Sequence, residues 1–537
     1  MNESRTSPGP AGAPALLCLL GAAVCAPAAL RAQSADPAGP VIDTVMVATG
    51  DVFSPQEADG SFVFGLVNLL HIHTRPGVVR GELLLRSGEA FDSARAAETE
   101  RNLRSRDLFR SVLVDTARLG RRFAVLVHTQ DGWTTRPRFK MGASSNGTVT
   151  GAFGITEGNF LGTGTYVRAG YRRDIDHSGL ELELRSRRLP GTRLAAGVSY
   201  FSWSDGQEGD WELGLPFFAM ADRHALVWSG EAADQRVLQF RVDQPAPPDT
   251  TVYQRRALVN RLTGAYAPIA TPKYYLRLGL SAELRREEFL LQRDAGLAIP
   301  DTASGTIGGF VEFRRVRFRK VRYYNEFNYE DIDLSTTVRV GAQLAPTGLG
   351  HERTGIGPRV ELSTAVPMHG GFVRAAVSAG GLFTGAGLDS ATVLGSLTVG
   401  ASLAPRHASI LNIAAGLQQS PRPGNQFDLG FDLPPRAWQP HSFVGTRTIS
   451  GTFEQRWFAL DGIFRLIDLG FAGFVDVAGA WYRDQTPRFG GDVGIGLRMG
   501  GALSAAGRVG RFDLGYRFGD DLIGSRWVLS VGHSFVF

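Results

Sequence analysis

Cysteine is nearly missing from this 537-residue chain: its two thiols, Cys18 and Cys25, both lie close to the N-terminus. The rest can form neither a disulfide framework nor a thiolate metal site. Long apolar runs are scarce too. After the N-terminal "PALLCLLGAAVCAPAAL", no stretch approaches the roughly 20 apolar residues of a helical membrane span. Charge of one sign is also lacking, since the chain carries a net +5 at pH 7. That balance names no partner, and nucleic acid is not expected as one. No nucleophile elbow, zinc-protease helix or phosphate loop occurs, so the chain reads as a non-enzyme without cofactors.

The N-terminus reads as a secretory signal peptide over residues 1–32: Arg5, an apolar core, then Arg31 and Ala32 ahead of polar "QSADPAGP". Pro14 and Pro27 place the run at the short limit for a spanning helix, and bulky Val24 disfavours lipid attachment at Cys25. Cleavage after Ala32 takes away Arg5, Arg31 and Glu3, leaving the charge balance almost unchanged. What abounds is glycine, at 67 residues, and aromatics, at 33 Phe, 12 Tyr and 8 Trp. A secreted, cysteine-free chain with this composition and no apolar helices fits a bacterial outer-membrane β-barrel.

Residues 33–40 form a small-residue linker, and 41–131 are mixed α/β. "VIDTVMVA" (41–48) alternates as a strand, and Pro76 opens an apolar stripe in "PGVVRGELLL". Asp92 is placed to cap a helix over 93–105, and "FRSVLVDTA" and "RRFAVLVHT" read as two strands about a turn. The order β-α-α-β-β suffices for a small one-sheet α+β domain. From 138 to 537, segments of about ten residues alternate between turn signals. In 180–187, Leu180, Leu182 and Leu184 take one face, and Glu181, Glu183, Arg185 and Arg187 the other. Alternation alone fits a soluble sheet as well as a barrel. The C-terminus separates them: Trp527, Leu529, Val531, His533, Phe535 and Phe537 share one face. The spacing of Ser530, Gly532, Phe535 and the terminal Phe537 reads as a barrel-insertion signal.

Several stretches carry a resemblance. "GITEGNFLGTGTYV" (154–167) resembles an Asn-Φ-Leu-Gly-x-Gly turn, "LGFDLPPRAWQP" a Gly-Asp-x-x-x-Arg-Gly-Tyr loop that folds back into a barrel, and "FVDVAGAW" (474–481) a Phe-x-Asp-x-Gly strand. Together they are similar to the POTRA-plus-barrel outer-membrane assembly and translocation superfamily, the BamA/TamA-like bacterial surface antigen family. Ala437 and Trp438 stand where that family has glycine and tyrosine or phenylalanine; alanine is tolerable unless φ is positive there. The resemblance implies about sixteen antiparallel transmembrane strands behind one periplasmic POTRA domain, although closer to twenty alternating segments can be counted. It further implies a barrel seam that opens laterally. Implied partners are outer-membrane lipid and lipopolysaccharide, unfolded or exported polypeptide clients, and the barrel-assembly machinery. The rival reading is a passive porin-like channel, which would need neither POTRA domain nor in-folded loop.

Parity links the loop to the wall. Glu454 and Asp476 both fall on the inward faces of consecutive antiparallel strands, and a lone arginine lowered into the lumen needs carboxylates. Arg436 is therefore expected to tether the loop through Glu454 and Asp476, with Trp438 as an aromatic plug. "FRRVRFRKVR" (313–322) reads as a basic lumen wall or a lipopolysaccharide-facing girdle, and Glu330, Asp331 and Asp333 as solvated turn acids. His71 and His73 have metal-like spacing, but no partner cluster lies nearby in sequence, and no metal site is assigned.

Overall fold

The computed structural model describes residues 39–533 except 144–148, 241–249, 294–298, 300, 431–432, 484, 506–508, 521 and 523. The signal peptide, all of the linker but its last two residues, and Phe535 and Phe537 lie outside the described residues.

The first part of the chain runs β1 (Thr44–Gly50), α1 (Pro55–Asp59), α2 (Phe62–Leu70), α3 (Pro76–Glu82), α4 (Ser93–Arg104), β2 (Phe109–Leu119) and β3 (Arg122–Asp131). The sheet order is β1-β3-β2, with β1 parallel and β2 antiparallel to the central β3. Asp92 caps α4, its carboxylate accepting from the N–H groups of Ala94 and Arg95, and Pro76 occupies the first turn of α3, where a missing N–H is harmless. Helices α1 and α2 are additions to the sequence reading. Their signal was present, since Ser54 and Glu57 cap each other's backbone reciprocally around Pro55. Ile42, Val79, Leu103, Leu108 and Val125 are wholly buried between helices and sheet, giving this domain its own core.

Past Trp133 the strands close into one antiparallel barrel. It begins with β4 (Thr135–Ala143), β5 (Val149–Phe160), β6 (Thr165–Arg173) and β7 (Ser178–Ser186), and ends with Trp527–His533. Among the described residues the barrel has 20 strands, which corrects the expected sixteen. Each alternating segment of nine residues or more is long enough to cross, and each pairs with both neighbours instead of breaking into loop hairpins.

The wall sorts side chains by parity. On β7, Leu180, Leu182 and Leu184 are 58, 52 and 41% exposed, while Glu181 and Glu183 are buried. Inside, Glu181 pairs with Arg138 and Glu183 with Arg168. An apolar outer belt over a charged interior is the arrangement lipid selects, and these strands make a transmembrane β-barrel. Among the described residues the last strand meets β4 through Ser530 with Gly142 and Val531 with Met141. On its other edge β4 pairs with β5 from Thr135 to Ala143.

Two stretches leave the wall. At the end nearer the N-terminal domain, the basic run 313–322 is not one strand. The barrel strand ends at Arg315, and Phe318–Arg322 pairs with Tyr329–Asp333 in a separate hairpin. Its charges meet α4: Arg104 forks onto Asp331 at 2.8 and 2.9 Å, Lys320 pairs with Glu100 at 2.8 Å, and the Arg101 guanidinium lies 4.5 Å above Phe318. Asp333 pairs with Arg314 at 2.6 Å, and Glu330 accepts from the Asn325 N–H at 2.6 Å. Both earlier readings are corrected: the run is a docking hairpin, and its acids are engaged. Local alternation could not reveal this, because the hairpin alternates as the wall does. The second stretch, 420–446, folds in from the far end.

Candidate functional site

The loop 420–446 carries a short hairpin, Phe427–Leu429 against Phe443–Gly445, that packs with Trp438 on Ala478 and Ala480 of the inner wall. This sets Arg436 in the lumen, 1% exposed. Its Nε and Nη2 donate to the two oxygens of Asp476 at 2.7 and 3.1 Å, Nη1 donates to Glu454 at 2.8 Å, and its backbone N–H also reaches Asp476. The guanidinium lies 4.0 Å from the ring centre of Phe474. The structure thus brings Arg436, Glu454 and Asp476 into contact. Bidentate geometry of this kind needs the planar fork that arginine has and lysine lacks.

Trp438 is buried as well, its indole N–H donating to the Gly491 carbonyl at 2.9 Å. Gly490 makes the space, since a Cβ there would stand 2.6 Å from the indole. Ala437 does not have a positive φ, so its methyl is unstrained, and its N–H donates to Asp492 at 2.8 Å.

More charges join than the sequence reading placed. Asp513 stands 3.6 Å from Arg436, and Arg498 bridges Asp513 at 2.5 Å and Glu454 at 3.3 Å. Arg511 lies 3.5 Å from Asp513. Asp492, Arg498, Arg511 and Asp513 sit on strands Gly490–Gly501 and Val509–Gly519 and are all buried. Charges at even spacing in otherwise small-residue strands, as in "GDVGIGLRMG", were the available signal. Neutralisation of this many buried charges requires mutual pairing, because one left alone costs several kcal/mol, roughly 3–5.

Arg456 connects this network to the other in-folded stretch. Its Nε donates to Glu454 at 2.8 Å, and its Nη1 to the Tyr324 carbonyl and Asn325 Oδ1 at 2.8 and 2.9 Å. Tyr324 and Phe327 pack beside it against Phe372, Ile410 and Phe458 of the inner wall. Segments therefore enter the lumen from both ends, and both are bonded to one wall strand, through Glu454 and Arg456.

The "NFLGTG" turn joins barrel to domain. Asn159, fully buried, donates to the Ile72 carbonyl and to Thr74 at 2.9 and 3.0 Å, while the Arg75 N–H donates to the Gly162 carbonyl. Gly162 has φ +72°, and a Cβ there would stand 2.4 Å from the His73 carbonyl, so glycine is required on both counts. Of the terminal motif, Ser530 is buried on the last strand, Gly532 lies two residues on, and Trp527 and Leu529 face outward.

No family model matches the chain, and no curated protein matches it. Among solved structures, CdiB from Escherichia coli is similar at 11% identity over 94% of this chain and 92% of that one, with a TM-score of 0.44. BamA from Haemophilus ducreyi lacking POTRA domains 1–3 is similar at 11% identity over 92% and 84%, with a TM-score of 0.39. CdiB from Acinetobacter baumannii is similar at 10% identity over 93% and 74%, with a TM-score of 0.42. Superpositions this loose carry no functional weight.

Proposed function

We propose that this chain is a BamA/TamA-like outer-membrane protein that assists insertion or translocation of polypeptides, acting by binding and not by catalysis. The observation that carries the reading is the in-folded loop hooked by Arg436 onto Glu454 and Asp476. A passive pore gains nothing from a lumen filled at both ends. The hook grips the four strands just ahead of the seam, at which the last strand closes onto β4. A seam beside a wall braced by buried charge is suited to local parting without collapse of the barrel.

In this reading residues 41–131 are a POTRA-like domain in the periplasm, following a cleaved signal peptide, and 138–537 lie in the outer membrane. The order β1-β3-β2 leaves two sheet edges, β1 and β2, to which an extended client could add a strand. Lipid and lipopolysaccharide cover the outer belt, and the assembly machinery reads the C-terminal Ser530, Gly532, Phe535 and Phe537. Photo-crosslinkers placed at Leu113 on β2 and at Met141 beside the seam test this in native cells. Adducts with exported or nascent outer-membrane polypeptides are expected from both positions. Adducts to lipid alone at Met141, and none at Leu113, would refute the reading.

A further inference from the structure

We propose that Asp51, His71 and His73 bind a divalent transition-metal ion, zinc by the chemistry of the donors, at the hinge between the N-terminal domain and the barrel. Twenty residues separate Asp51 from the histidines in sequence, but α1 and α2 turn the chain back on itself. One donor atom from each of the three residues then lies within 4.8 Å of the others. Asp51 Oδ1 is 3.3 Å from His71 Nδ1, and Oδ2 is 3.8 Å from His73 Nε2. Ligands of a tetrahedral zinc at bonds of about 2.0–2.1 Å stand about 3.3 Å apart, so closure onto an ion needs only small movements. The two rings meet edge to face at 88°, centres 5.3 Å apart, and so present nitrogens instead of stacking.

His71 supplies an independent sign of a missing ligand. Its side chain is 1% exposed, yet neither ring nitrogen has a hydrogen-bond partner among the described residues. Buried imidazoles are normally satisfied. With Nδ1 toward Asp51, Nε2 faces Asp131 at 3.9 Å. Asp131 is held by the Thr74 N–H at 2.8 Å, while its Oδ1 has no hydrogen-bond partner among the described residues. A carboxylate behind the distal nitrogen is the usual support of a metal-bound histidine. His73 is 67% exposed, which leaves an open side for ion entry and for a water ligand. Two imidazoles and one carboxylate suit zinc and its transition-metal neighbours, whereas calcium and magnesium prefer oxygen throughout.

The strap that would be clamped is the one the barrel grips. Ile72, Thr74 and Arg75 hold Asn159 and Gly162, so an ion on His71 and His73 would stiffen the joint. The site stands independently of the polypeptide-handling reading.

The test uses the full chain in detergent, stripped by chelator and titrated with Co2+ and then Zn2+. About one Co2+ per chain with tetrahedral ligand-field absorption is expected, displaced by Zn2+. His73→Ala and Asp51→Asn should each weaken binding by about tenfold or more, and Asp131→Asn by about tenfold. His71→Ala risks unfolding the hinge, so exposed His73 is the decisive position, with unchanged circular dichroism as its control. Failure of the wild type to bind Co2+ or Zn2+, or equal affinity in His73→Ala and Asp51→Asn, would overturn the proposal. In either case the cluster is an ion pair between His71 and its two acids.

Discussion

Removing the Arg436 side chain is the sharpest perturbation available. Arg436→Ala deletes three charge-assisted hydrogen bonds, two to Asp476 and one to Glu454. Glu454 keeps Arg456 and Arg498, whereas Asp476 keeps no cation, only the backbone N–H of residue 436 and the neighbouring carboxyl of Asp492 among the described residues. Leaving such a carboxylate buried costs about 3–5 kcal/mol, and the loop loses its anchor at the same moment. In Arg436→Ala the unfolding free energy of the folded barrel, read by denaturant titration, should fall by that amount, and protease should cut within 420–446. Arg436→Lys should recover part of the loss, because one ammonium cannot fork across both acids. The double variant Arg436→Ala/Asp476→Ala should be less damaged than the sum of its singles, since it strands no charge. Stability of Arg436→Ala within about 0.5 kcal/mol of wild type, with an uncut loop, would refute the reasoning. So would strict additivity in the double variant.

Three further outcomes are expected. Burial opposes charge on His441, but the hydrogen bonds its ring donates to Asp176 at 2.9 Å and to Asp428 outweigh it and raise its pKa from 6.5 to about 9. The charged ring therefore stabilises the loop fully below about pH 6.5 and loses that effect as pH rises through about 9; protease sensitivity of 420–446 should rise in step, and His441→Arg should flatten the profile. Residues 39–134 alone should be soluble and unfold cooperatively, since Ile42, Leu103 and Val125 close a core within that span; a disordered circular dichroism spectrum would count against it. Arg104→Asp should loosen the domain from the 316–335 hairpin by about 1.5–3 kcal/mol, read as hydrogen exchange in α4, and the swap Arg104→Asp/Asp331→Arg should restore protection.

The sequence made some of this legible and hid the rest for physical reasons. Glu454 and Asp476 could be placed inside because strand parity is strictly two-fold, and Asp92 and Pro76 because capping is local. The strand total went astray when family likeness overrode the segments visible in the chain. Asp492, Arg498, Arg511 and Asp513 obeyed the same parity, but only the register of strands joins them to Arg436. The inward packing of Tyr324 and Phe327 depends on a cavity that no local pattern describes. Asp51 and His71 needed the reversal made by α1 and α2.

Arg456 brings the attachments of two in-folded segments together on one wall strand. Its guanidinium is shared: one nitrogen holds the acid that secures the far loop, another holds the backbone of the hairpin entering beside the N-terminal domain. That hairpin is itself latched to α4 through Asp331. Glu454 and Arg456 stand two residues apart on one wall strand, so the two in-folded segments share one place of attachment. Displacement of that strand would loosen both segments at once.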